Sequence, residues 1–403
     1  MHCSEYIIMN KLPWSWDETA VEPAAQPGDI IFSEPLTGSA FFAVCLPPPV
    51  HGQSIVNAAV IRAAQEFAGS DKVEVVDIGP GAHKGGLKYH ATRLAKVARA
   101  SLLLARRGVR RDQQFYTVFE AGFGIVYNFM VIALARLLGY NIILHHHTSQ
   151  HTLVRQARFA LLQRVAGRSC LNVVLSDEMA ENLQFLYPRL RNVLVSQNAC
   201  HIARSDGDGR PEARPNKLRV GFLSNLCREK GLDVVLDVAT KCRERGLELT
   251  FVLAGPAVGA EAEALLASGH ERLGDYIEVI GPVKDKTKAA FFESIDVFLF
   301  PTRYRYEAQP LVLLEAMSYG LPAVTTNCGY IAELVGRQGA ILEPDEDLTD
   351  SIVDQLDQMV SNRHERFRSA EVKAHFLRLR GTAFSQLRGL MNALFAVTPA
   401  AAL

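Results

Sequence analysis

The chain is organised around residues 301–333, which read PTRYRYEAQPLVLLEAMSYGLPAVTTNCGYIAE. An apolar run, residues 297–300, comes immediately before this stretch. A polar and aromatic loop follows, and Pro310 then opens an amphipathic segment that stops at Gly320. The pattern predicts a strand, a loop, a helix and a second strand.

Proline at the first helical position predicts that the next amide groups, those of Leu311, Val312 and Leu313, lack intrahelical partners. These N–H groups and the positive end of the helix dipole together make a seat for a phosphate. Glu307 lies in the loop before this seat, and Glu315 lies eight positions later, about two turns along one side of the helix. Because carboxylates repel phosphate and accept hydrogen bonds, we expect both to bind sugar hydroxyls. The alternative is that the two acids only complement the dipole of an ordinary strand–loop–helix unit.

The run E-A-Q-P-L-V-L-L-E, from Glu307 to Glu315, resembles the E-x7-E signature of nucleotide-sugar glycosyltransferases of the GT-B fold, in the large and mostly retaining group 1 family. The resemblance implies that Glu307 contacts the transferred sugar and that Glu315 binds the ribose hydroxyls. It also implies that the amides near Leu311 and Val312 hold the diphosphate. The family usually has Gly after the first Glu, and Ala308 stands there in this chain.

At 403 residues, with 48% hydrophobic and 21% charged side chains, the chain has enough apolar material for two globular cores. Its net charge is zero, but residues 41–200 carry 18 basic and 9 acidic side chains, so the first half is the more basic one. The seven cysteines form no C-x-x-C motif, which indicates a reduced compartment. The start of the sequence lacks the pattern of a signal peptide, and no apolar stretch reaches about 18 residues. We therefore expect a cytoplasmic protein, either free or peripheral on the inner face of the membrane.

Strands that alternate with helices predict parallel sheets covered on both faces, here two doubly wound, Rossmann-like α/β domains facing a cleft. The GT-B resemblance covers residues 41–395 and implies the same architecture. We expect an extension of unknown role, a first domain on the acceptor side, a linker, a second domain that binds the nucleotide-sugar, and a last helix that crosses back to the first domain. The predicted boundaries of these parts are residues 1–38, 39–202, 203–216, 217–374 and 375–403. No G-x-G-x-x-G motif follows the first strand of either half, which argues against a dinucleotide-dependent oxidoreductase.

Ligands of such sheets bind beyond the carboxyl ends of the strands, and charged residues follow one predicted strand there. Lys230 and Arg228 lie in the loop after residues 218–223, where cations would neutralise a diphosphate leaving group. In the resembling family this loop is approximately G-R-L-x-x-x-K-G. Lys230 matches it, whereas Asn225 stands in place of the family's Arg.

Two further loops are candidates for the same cleft. Gly52 lies in PPPVHGQS, after the first predicted strand, and glycine permits a close approach of backbone and ligand. By resemblance Gly52 lines the cleft, although the same sequence is also typical of a stiff turn. Val283 follows residues 277–280, and the family contacts the nucleobase with backbone groups of this loop. The resemblance therefore places Val283 beside the base.

Three consecutive histidines, His145, His146 and His147, follow residues 141–144. On extended backbone their side chains alternate between the two faces of the sheet, which argues against three ligands to one metal ion. The family has a histidine in this loop that approaches the donor sugar or the acceptor. His147, which two hydroxyl residues follow, fits that position best, and a buried structural histidine is the alternative.

A basic amphipathic helix is predicted over residues 87–107, with apolar residues at helical spacing and a row of lysines and arginines that continues to residue 111. Such a helix either contacts anionic lipid headgroups or exposes a solvated basic face. Its basic residues have no interleaved aromatics, and no nucleic-acid motif accompanies them. Nucleic acid is therefore not an expected partner.

Together these features predict a glycosyltransferase that moves a hexosyl-type sugar from a nucleotide-diphospho-sugar to an acceptor hydroxyl. By resemblance the transfer retains anomeric configuration and needs no cofactor or metal, with Lys230 stabilising the leaving diphosphate, Glu307 orienting the sugar and His147 positioning the reacting groups. The expected acceptor is a saccharide or a lipid-linked saccharide of surface polysaccharide or glycolipid assembly. Two alternatives stay open. One is a GT-B nucleotide-sugar epimerase; the other is a non-catalytic scaffold subunit of a polysaccharide assembly complex, which Asn225 in place of Arg favours.

Overall fold

The computed structural model of the protein describes residues 38–81, 86–111, 113–205, 217–361 and 369–395. Nearly all of the predicted extension and most of the predicted linker, residues 1–37 and 206–216, lie outside these described residues. The described residues form two six-stranded sheets, each flanked by helices.

The first sheet consists of β1 (Ala40–Val44), β2 (Val73–Asp77), β3 (Gln114–Phe119), β4 (Asn141–His146), β5 (Leu171–Val174) and β6 (Val193–Val195). The helices between and after these strands are α1 (Gly52–Ala68), α2 (Gly86–Arg107), α3 (Gly124–Leu137), α4 (Gln150–Leu153), α5 (Ala157–Ala166) and α6 (Asp177–Leu186). The strand order is β2-β1-β3-β4-β5-β6, and all neighbours are parallel. The spacing of apolar residues predicts a helix near residues 153–165, and α5 confirms it except at its start, because Val154 and Gln156 have extended backbone and separate α4 from α5.

The second sheet consists of β7 (Leu218–Leu223), β8 (Leu249–Ala254), β9 (Ile277–Gly281), β10 (Val297–Phe300), β11 (Ala323–Thr326) and β12 (Gly339–Leu342). Its helices are α7 (Leu232–Glu244), α8 (Ala260–Leu273), α9 (Asp285–Ser294), α10 (Leu311–Ser318), α11 (Ile331–Val335) and α12 (Leu348–Ser361), and the long helix α13 (Ser369–Phe395) follows. The order β12-β11-β10-β7-β8-β9 is again parallel throughout.

Both faces of the first sheet are buried, as its continuous apolar strands predict. Phe41 and Phe42 are neighbours in β1, and both are fully buried, on opposite faces. Phe42 belongs to a core that runs through α1 and α13 into the second domain, whereas Phe41 packs in a separate core beneath α2, α3 and α5. The predicted fold class, two doubly wound α/β domains, is confirmed.

Helix α13 contacts both domains. Near its start, a ring nitrogen of His375 lies 3.0 Å from the carbonyl oxygen of Leu334 in α11. At its end, the Phe395 ring lies 6.1 Å from the ring of Phe67 in α1, and the Phe395 carbonyl accepts a hydrogen bond from Gly38. Within the described part of the chain, no helix is both long and apolar enough to cross a membrane.

The basic side chains of helix α2 are not all exposed, although its sequence suggests a fully exposed basic row. Three of its cations are turned inward, toward carboxylates of the first sheet and the loops beside it. The ion pairs are Arg93–Glu120, Lys96–Asp77 and Arg107–Glu74.

Candidate active site

The strand order of the second sheet reverses between β7 and β10. The chain runs outward from β7 through β8 to β9, then returns to place β10 on the other side of β7. In doubly wound sheets, ligands bind in the crevice beyond the carboxyl ends of the two strands at such a reversal. The loop after β7 carries Lys230, and the loop after β10 carries Glu307. Two predicted site residues therefore flank this crevice.

Lys230 and Glu307 are in direct contact. The Lys230 Nζ lies 2.5 Å from Glu307 Oε1, which also accepts a hydrogen bond from the Thr302 hydroxyl at 3.2 Å. The ammonium lies 4.8 Å from the centre of the Tyr304 ring, a cation–π distance. Glu307 is buried and Lys230 is largely so. The pair neutralises two charges that would otherwise be costly to hold in the crevice.

Two glycines allow the backbone to close around this pair. Gly231 follows Lys230 with φ +87°, and a Cβ there would lie 2.1 Å from the carbonyl oxygen of Pro301. Gly329 has φ +61°, and a Cβ there would lie 1.8 Å from the carbonyl oxygen of Glu307. Both positions combine left-handed backbone with a contact that no side chain could share, so glycine is required at each.

The start of α10 lies at the end of the Glu307 loop. Pro310 has φ −62° and ψ 120°, so it precedes the helix and does not occupy its first turn as the sequence suggests. The amide of Leu313 donates to the Pro310 carbonyl at 3.2 Å, so the expectation that this amide is free is wrong. The amides of Leu311 and Val312 have no hydrogen-bond partner among the described residues. These two N–H groups stay available at the positive end of the helix.

Glu315 lies farther along α10 and forms an ion pair with Lys288 of α9. Its second oxygen, Oε2, is buried and has no hydrogen-bond partner among the described residues. Burial raises the pKa of Glu315, and the Lys288 ammonium acts in the opposite direction. A buried acceptor without a donor costs free energy, which a ligand hydroxyl would recover. Lys288 has no signal in the sequence, because its role depends on how α9 faces α10.

A cavity of about 230 Å³ opens beside Glu315. Helices α9 and α10 form its wall in the second domain, with Glu315 and Lys288 among the lining residues. Helix α1, through Ile55 and its neighbours, and the segment after β6 form the wall in the first domain. Gly52, the first residue of α1, faces the start of α10, where a Cβ would lie 3.8 Å from a methyl carbon of Leu311. The structure thus brings Gly52 to the domain interface.

Arg228 and Val283 are the two remaining predicted donor-binding residues. The Arg228 guanidinium is half exposed and forms ion pairs with Asp233, at 3.0 Å, and with Glu261. These contacts direct it toward α7 and α8. Val283 lies in the loop between β9 and α9, half-buried against the core and two residues before Asp285, which lines the cavity.

The three histidines alternate faces, as extended backbone requires. Nδ1 of His145 is 2.5 Å from the Tyr116 hydroxyl, and Nε2 of His146 is 3.0 Å from the side-chain oxygen of Asn172 on the other side of the sheet. His147 returns to the side of His145, with 4.2 Å between the two ring centres. Neither nitrogen of His147 has a hydrogen-bond partner among the described residues.

Burial keeps these histidines neutral. Together with the neighbouring His201, it lowers the pKa of His147 to about 3. Burial likewise lowers the pKa of His146 to about 4. Nowhere in the described ranges are three or more His, Cys, Asp or Glu side chains grouped to hold a metal ion. His147 is therefore a neutral donor and acceptor with both hydrogen-bonding positions open.

Glu120 occupies the corresponding crevice of the first sheet, where the strand order reverses between β1 and β3. Its carboxylate accepts hydrogen bonds from Arg93 at 2.7 and 2.5 Å, and from the Cys45 thiol at 3.2 Å. Arg93 is almost fully buried. Sequence reasoning did not select Glu120, although a lone acid directly after an apolar strand was a signal for it.

The Glu307 loop is enclosed by the first domain. Ala308, which stands where the resembling family has Gly, and Tyr330 are both buried in the first domain's core beneath α2, α3 and α5. The Tyr330 hydroxyl donates to Thr152 at 2.8 Å and accepts from the Asn182 amide at 3.2 Å. The crevice of the second sheet is thus held directly against the first domain.

Comparison with known proteins finds a similarity in the second domain. The family model described as "Glycosyl transferases group 1" matches residues 217–362. This part of the chain is therefore similar in sequence to group 1 glycosyl transferases. It contains both Lys230 and Glu307, the two residues that meet in the crevice.

One curated relative is "Putative colanic acid biosynthesis glycosyltransferase WcaL" of Escherichia coli (strain K12). It is 26% identical over 198 residues, which are 48% of this chain and 45% of that protein. The chain therefore matches less than half of the length of this relative.

Solved structures share the fold of most of the chain. Anabaena Alr3699/HepE, solved in complex with UDP-glucose, has a TM-score of 0.65 at 16% identity, covering 88% of this chain and 100% of that one. Sucrose-phosphate synthase from Thermosynechococcus elongatus has a TM-score of 0.69 at 14% identity, covering 89% and 99%. The chain has two Rossmann-like domains that face a cleft, and its structural likeness to these proteins confirms the GT-B architecture.

Proposed function

We propose that the protein is a glycosyltransferase that moves a sugar from a nucleotide-diphospho-sugar to an acceptor hydroxyl in the cleft. The observation that carries the proposal is the Lys230–Glu307 contact in the crevice of a domain that matches group 1 glycosyl transferases. Glu307 lies four residues before Leu311, and Glu315 lies in the same helix as the two open amides. A diphosphate between two sugars would need a cation, free amides and acceptors for sugar hydroxyls, and these residues supply all three.

The diphosphate would bind Lys230 together with the amides of Leu311 and Val312. An arriving phosphate competes with Glu307 for the ammonium, because both are anions within reach of the same cation. Glu307 then turns its free acceptors to the hydroxyls of the transferred sugar, while Lys230 stabilises charge on the leaving diphosphate. One contact thereby couples donor binding to orientation of the sugar.

The nucleoside would occupy the cavity beside Glu315. The open Oε2 of this residue accepts from a ribose hydroxyl, and Lys288 holds the carboxylate in place. Val283 and its loop lie at the same wall, where their backbone groups would contact the base. UDP-sugars are the first donors to test, because the Anabaena protein of the same fold was solved with UDP-glucose.

The acceptor would approach from the first domain, where His147 offers two open ring nitrogens. A neutral imidazole positions the reacting hydroxyl without repelling a cationic transition state. We propose a hexosyl transfer with retention, in which the departing phosphate assists deprotonation of the acceptor on the same face and no metal or other cofactor takes part. The relative named for colanic acid biosynthesis supports a place in surface polysaccharide assembly. The proposed location of this step is the cytoplasmic side of the membrane.

Thermal unfolding against UDP, GDP, ADP and dTDP tests the donor site. A nucleotide at about 100 times its dissociation constant adds about 2.7 kcal/mol of stability, and each kcal/mol raises Tm by about 2 to 4 °C for domains of this size. We expect one nucleotide to give this shift and Lys230→Ala to weaken it. Lys241→Ala is the matched control, because Lys241 pairs with Asp350 on the surface of the same domain. No shift with any nucleotide would contradict the proposal.

A non-catalytic donor-binding subunit is a second candidate. Asn225 replaces the family's arginine, and Arg228 is engaged by Asp233 and Glu261, so cations are sparse around the diphosphate seat. Turnover of the donor with a crude extract of lipid and glycan acceptors separates this candidate from a transferase. Incubation with donor alone tests for an epimerase, which would convert the sugar without any acceptor.

A further inference from the structure

Helix α2 presents an apolar stripe to solvent. Leu87, Leu94 and Leu102 are 87%, 50% and 52% exposed, and their spacing of seven and eight residues puts them on one side of the helix. Exposed alanines at positions 91, 98 and 105 continue the stripe. The buried side of α2 is a different one, formed by Arg93, Val97, Ala100 and Leu104. The side of α2 with the more regular apolar pattern is therefore the one that does not pack against the core.

Helix α3 lies beside α2 and exposes a second stripe. Its large exposed apolar side chains are Phe123, Val126, Met130 and Leu137. The two helices are joined at their starts by a 2.9 Å hydrogen bond between His90 Nδ1 and the Tyr127 hydroxyl, and by an edge contact of His90 with Phe123. We call the surface formed by these two stripes the α2–α3 face. Contiguous exposed apolar side chains of this kind are typical of an interaction site.

The charge on the α2–α3 face has one sign. Lys88, Arg99 and Arg106 are exposed and follow one row along the flank of the α2 stripe, and Arg110 and Arg111 continue beyond its end. The sequence contains no acidic residue from 78 to 111 or from 121 to 176. The partner of this face must therefore be both apolar and anionic.

We propose that the α2–α3 face binds the surface of an anionic lipid bilayer. Leucine and phenylalanine side chains would enter the boundary between headgroups and acyl chains, while the lysine and arginine side chains would reach the headgroup phosphates. A second copy of the chain fits less well, because a symmetric contact would bring two basic rows together. Membrane binding itself does not depend on the proposed function. The class of acceptor that it indicates, a lipid-linked one, rests on that function.

The position of the face suits such an acceptor. Helices α2 and α3 begin at the edge of the sheet where β2 and β3 end, and Phe123 lies three residues after Glu120. This is the edge that faces the cleft. A saccharide attached to a lipid in the bound bilayer would therefore enter the cleft from the first domain.

Sedimentation with vesicles tests the α2–α3 face. The full-length protein is mixed with phosphatidylcholine vesicles, with or without about a third of phosphatidylglycerol, at low and high salt. We expect binding to the anionic vesicles that weakens as salt rises. The double charge reversal Arg99→Glu/Arg106→Glu should weaken binding by about 30-fold or more. Arg378→Glu/Arg388→Glu, on the exposed side of α13, is the matched control and should bind as wild type does.

A second variant tests the apolar part. Leu87→Glu/Phe123→Glu should abolish binding at both salt concentrations, whereas Phe185→Glu, an equally exposed residue of α6, should not. Equal binding of wild type to neutral vesicles, or no binding to any, would overturn the proposal. So would gel filtration in which wild type is a dimer that Leu87→Glu/Phe123→Glu dissociates. The nucleotide-induced shift in Tm should be the same in all variants, so failure of the donor site and failure of this face are distinguishable.

Discussion

The ammonium of Lys230 lies 2.5 Å from the carboxylate of Glu307, although 77 positions separate the two residues in the chain. Each residue lies in the segment that follows one of the two strands at the reversal of the second sheet. The charge of each side chain is balanced by the other. Under the proposed function, the donor diphosphate would take the place of Glu307 at Lys230, and the transferred sugar would take the place of Lys230 at Glu307.

Glu307→Gln should separate donor binding from transfer. Removing the negative charge frees Lys230 for phosphate, so we expect the nucleotide to bind as tightly as in wild type or more tightly. Turnover should fall by about 100-fold, because the sugar loses the group that orients it. Calorimetric titration and a transfer assay measure the two effects. Glu343→Gln, an exposed acid that accepts from Asn327 in the same domain, should change neither.

Two outcomes would contradict this assignment. Full turnover of Glu307→Gln would mean that Glu307 does not orient the sugar. Loss of nucleotide binding would mean that the ion pair is needed to hold the crevice open.

Gly329→Ala should disrupt the Glu307 loop from a position 22 residues away. A Cβ at this position would lie 1.8 Å from the Glu307 carbonyl oxygen, so the loop must move. Gly336→Ala is the matched control, since Gly336 also has a positive φ, +57°, but has open space around its added Cβ. The control should lose only the cost of a backbone conformation that residues with a side chain rarely adopt, about 1 to 3 kcal/mol. Urea unfolding of both variants checks this, and equal losses of stability would show that the Glu307 contact is not tight.

Glu315→Gln should weaken nucleotide binding by about 10-fold or more, because a hydrogen bond to a charged group contributes about 1.5 to 3 kcal/mol. The sharper test is a double-mutant cycle with 2′-deoxynucleotide as the second change. If Glu315 accepts from the ribose, the deoxynucleotide should cost wild type more affinity than it costs Glu315→Gln. If the two losses of affinity are strictly additive, Glu315 does not contact the 2′-hydroxyl. If Glu315→Gln binds nucleotide as tightly as wild type, Glu315 does not contact the ribose at all.

The edge on which these residues lie could be predicted from sequence, because Lys230 and Glu307 each follow a short apolar run and the ends of parallel strands share one edge. Their direct contact could not, since it needs β10 to lie beside β7 with β8 and β9 elsewhere. The family resemblance supplied the roles of Glu307 and Glu315. The resemblance could not predict Lys288, because this residue contacts Glu315 only through the packing of α9 beside α10.

Helix α2 shows a second limit of sequence patterns. Regular apolar spacing predicts an amphipathic helix, and α2 is one, but spacing does not say which side is buried. The buried side here contains Arg93, whose charge is balanced by Glu120, directly after β3 and 27 positions away in the chain. The side with the better apolar pattern, containing Leu87 and Leu94, is left for solvent or a partner.

Acid should destabilise the fold through its buried histidines. His146 is fully buried between His151, Asn172 and the rings of Phe119 and Phe159. Burial lowers its pKa to about 4, against about 6.5 in an unfolded chain. Because the folded-state pKa is the lower one, the unfolded chain binds the proton first, and stability falls as pH drops below about 6.5.

Each histidine held neutral in this way adds about 1.4 kcal/mol per pH unit to the slope of stability between about pH 6 and pH 4. Burial also lowers the pKa values of His145, His147, His151 and His201, so the combined slope should be steep. Urea unfolding at pH 7.5, 6.5, 5.5 and 5.0 measures this slope. His146→Leu should reduce the slope by about 1.4 kcal/mol per pH unit, the contribution of one proton, whatever the stability of that variant at pH 7.5. A wild-type stability that stays constant down to pH 5 would show that these rings gain protons without leaving their folded environment.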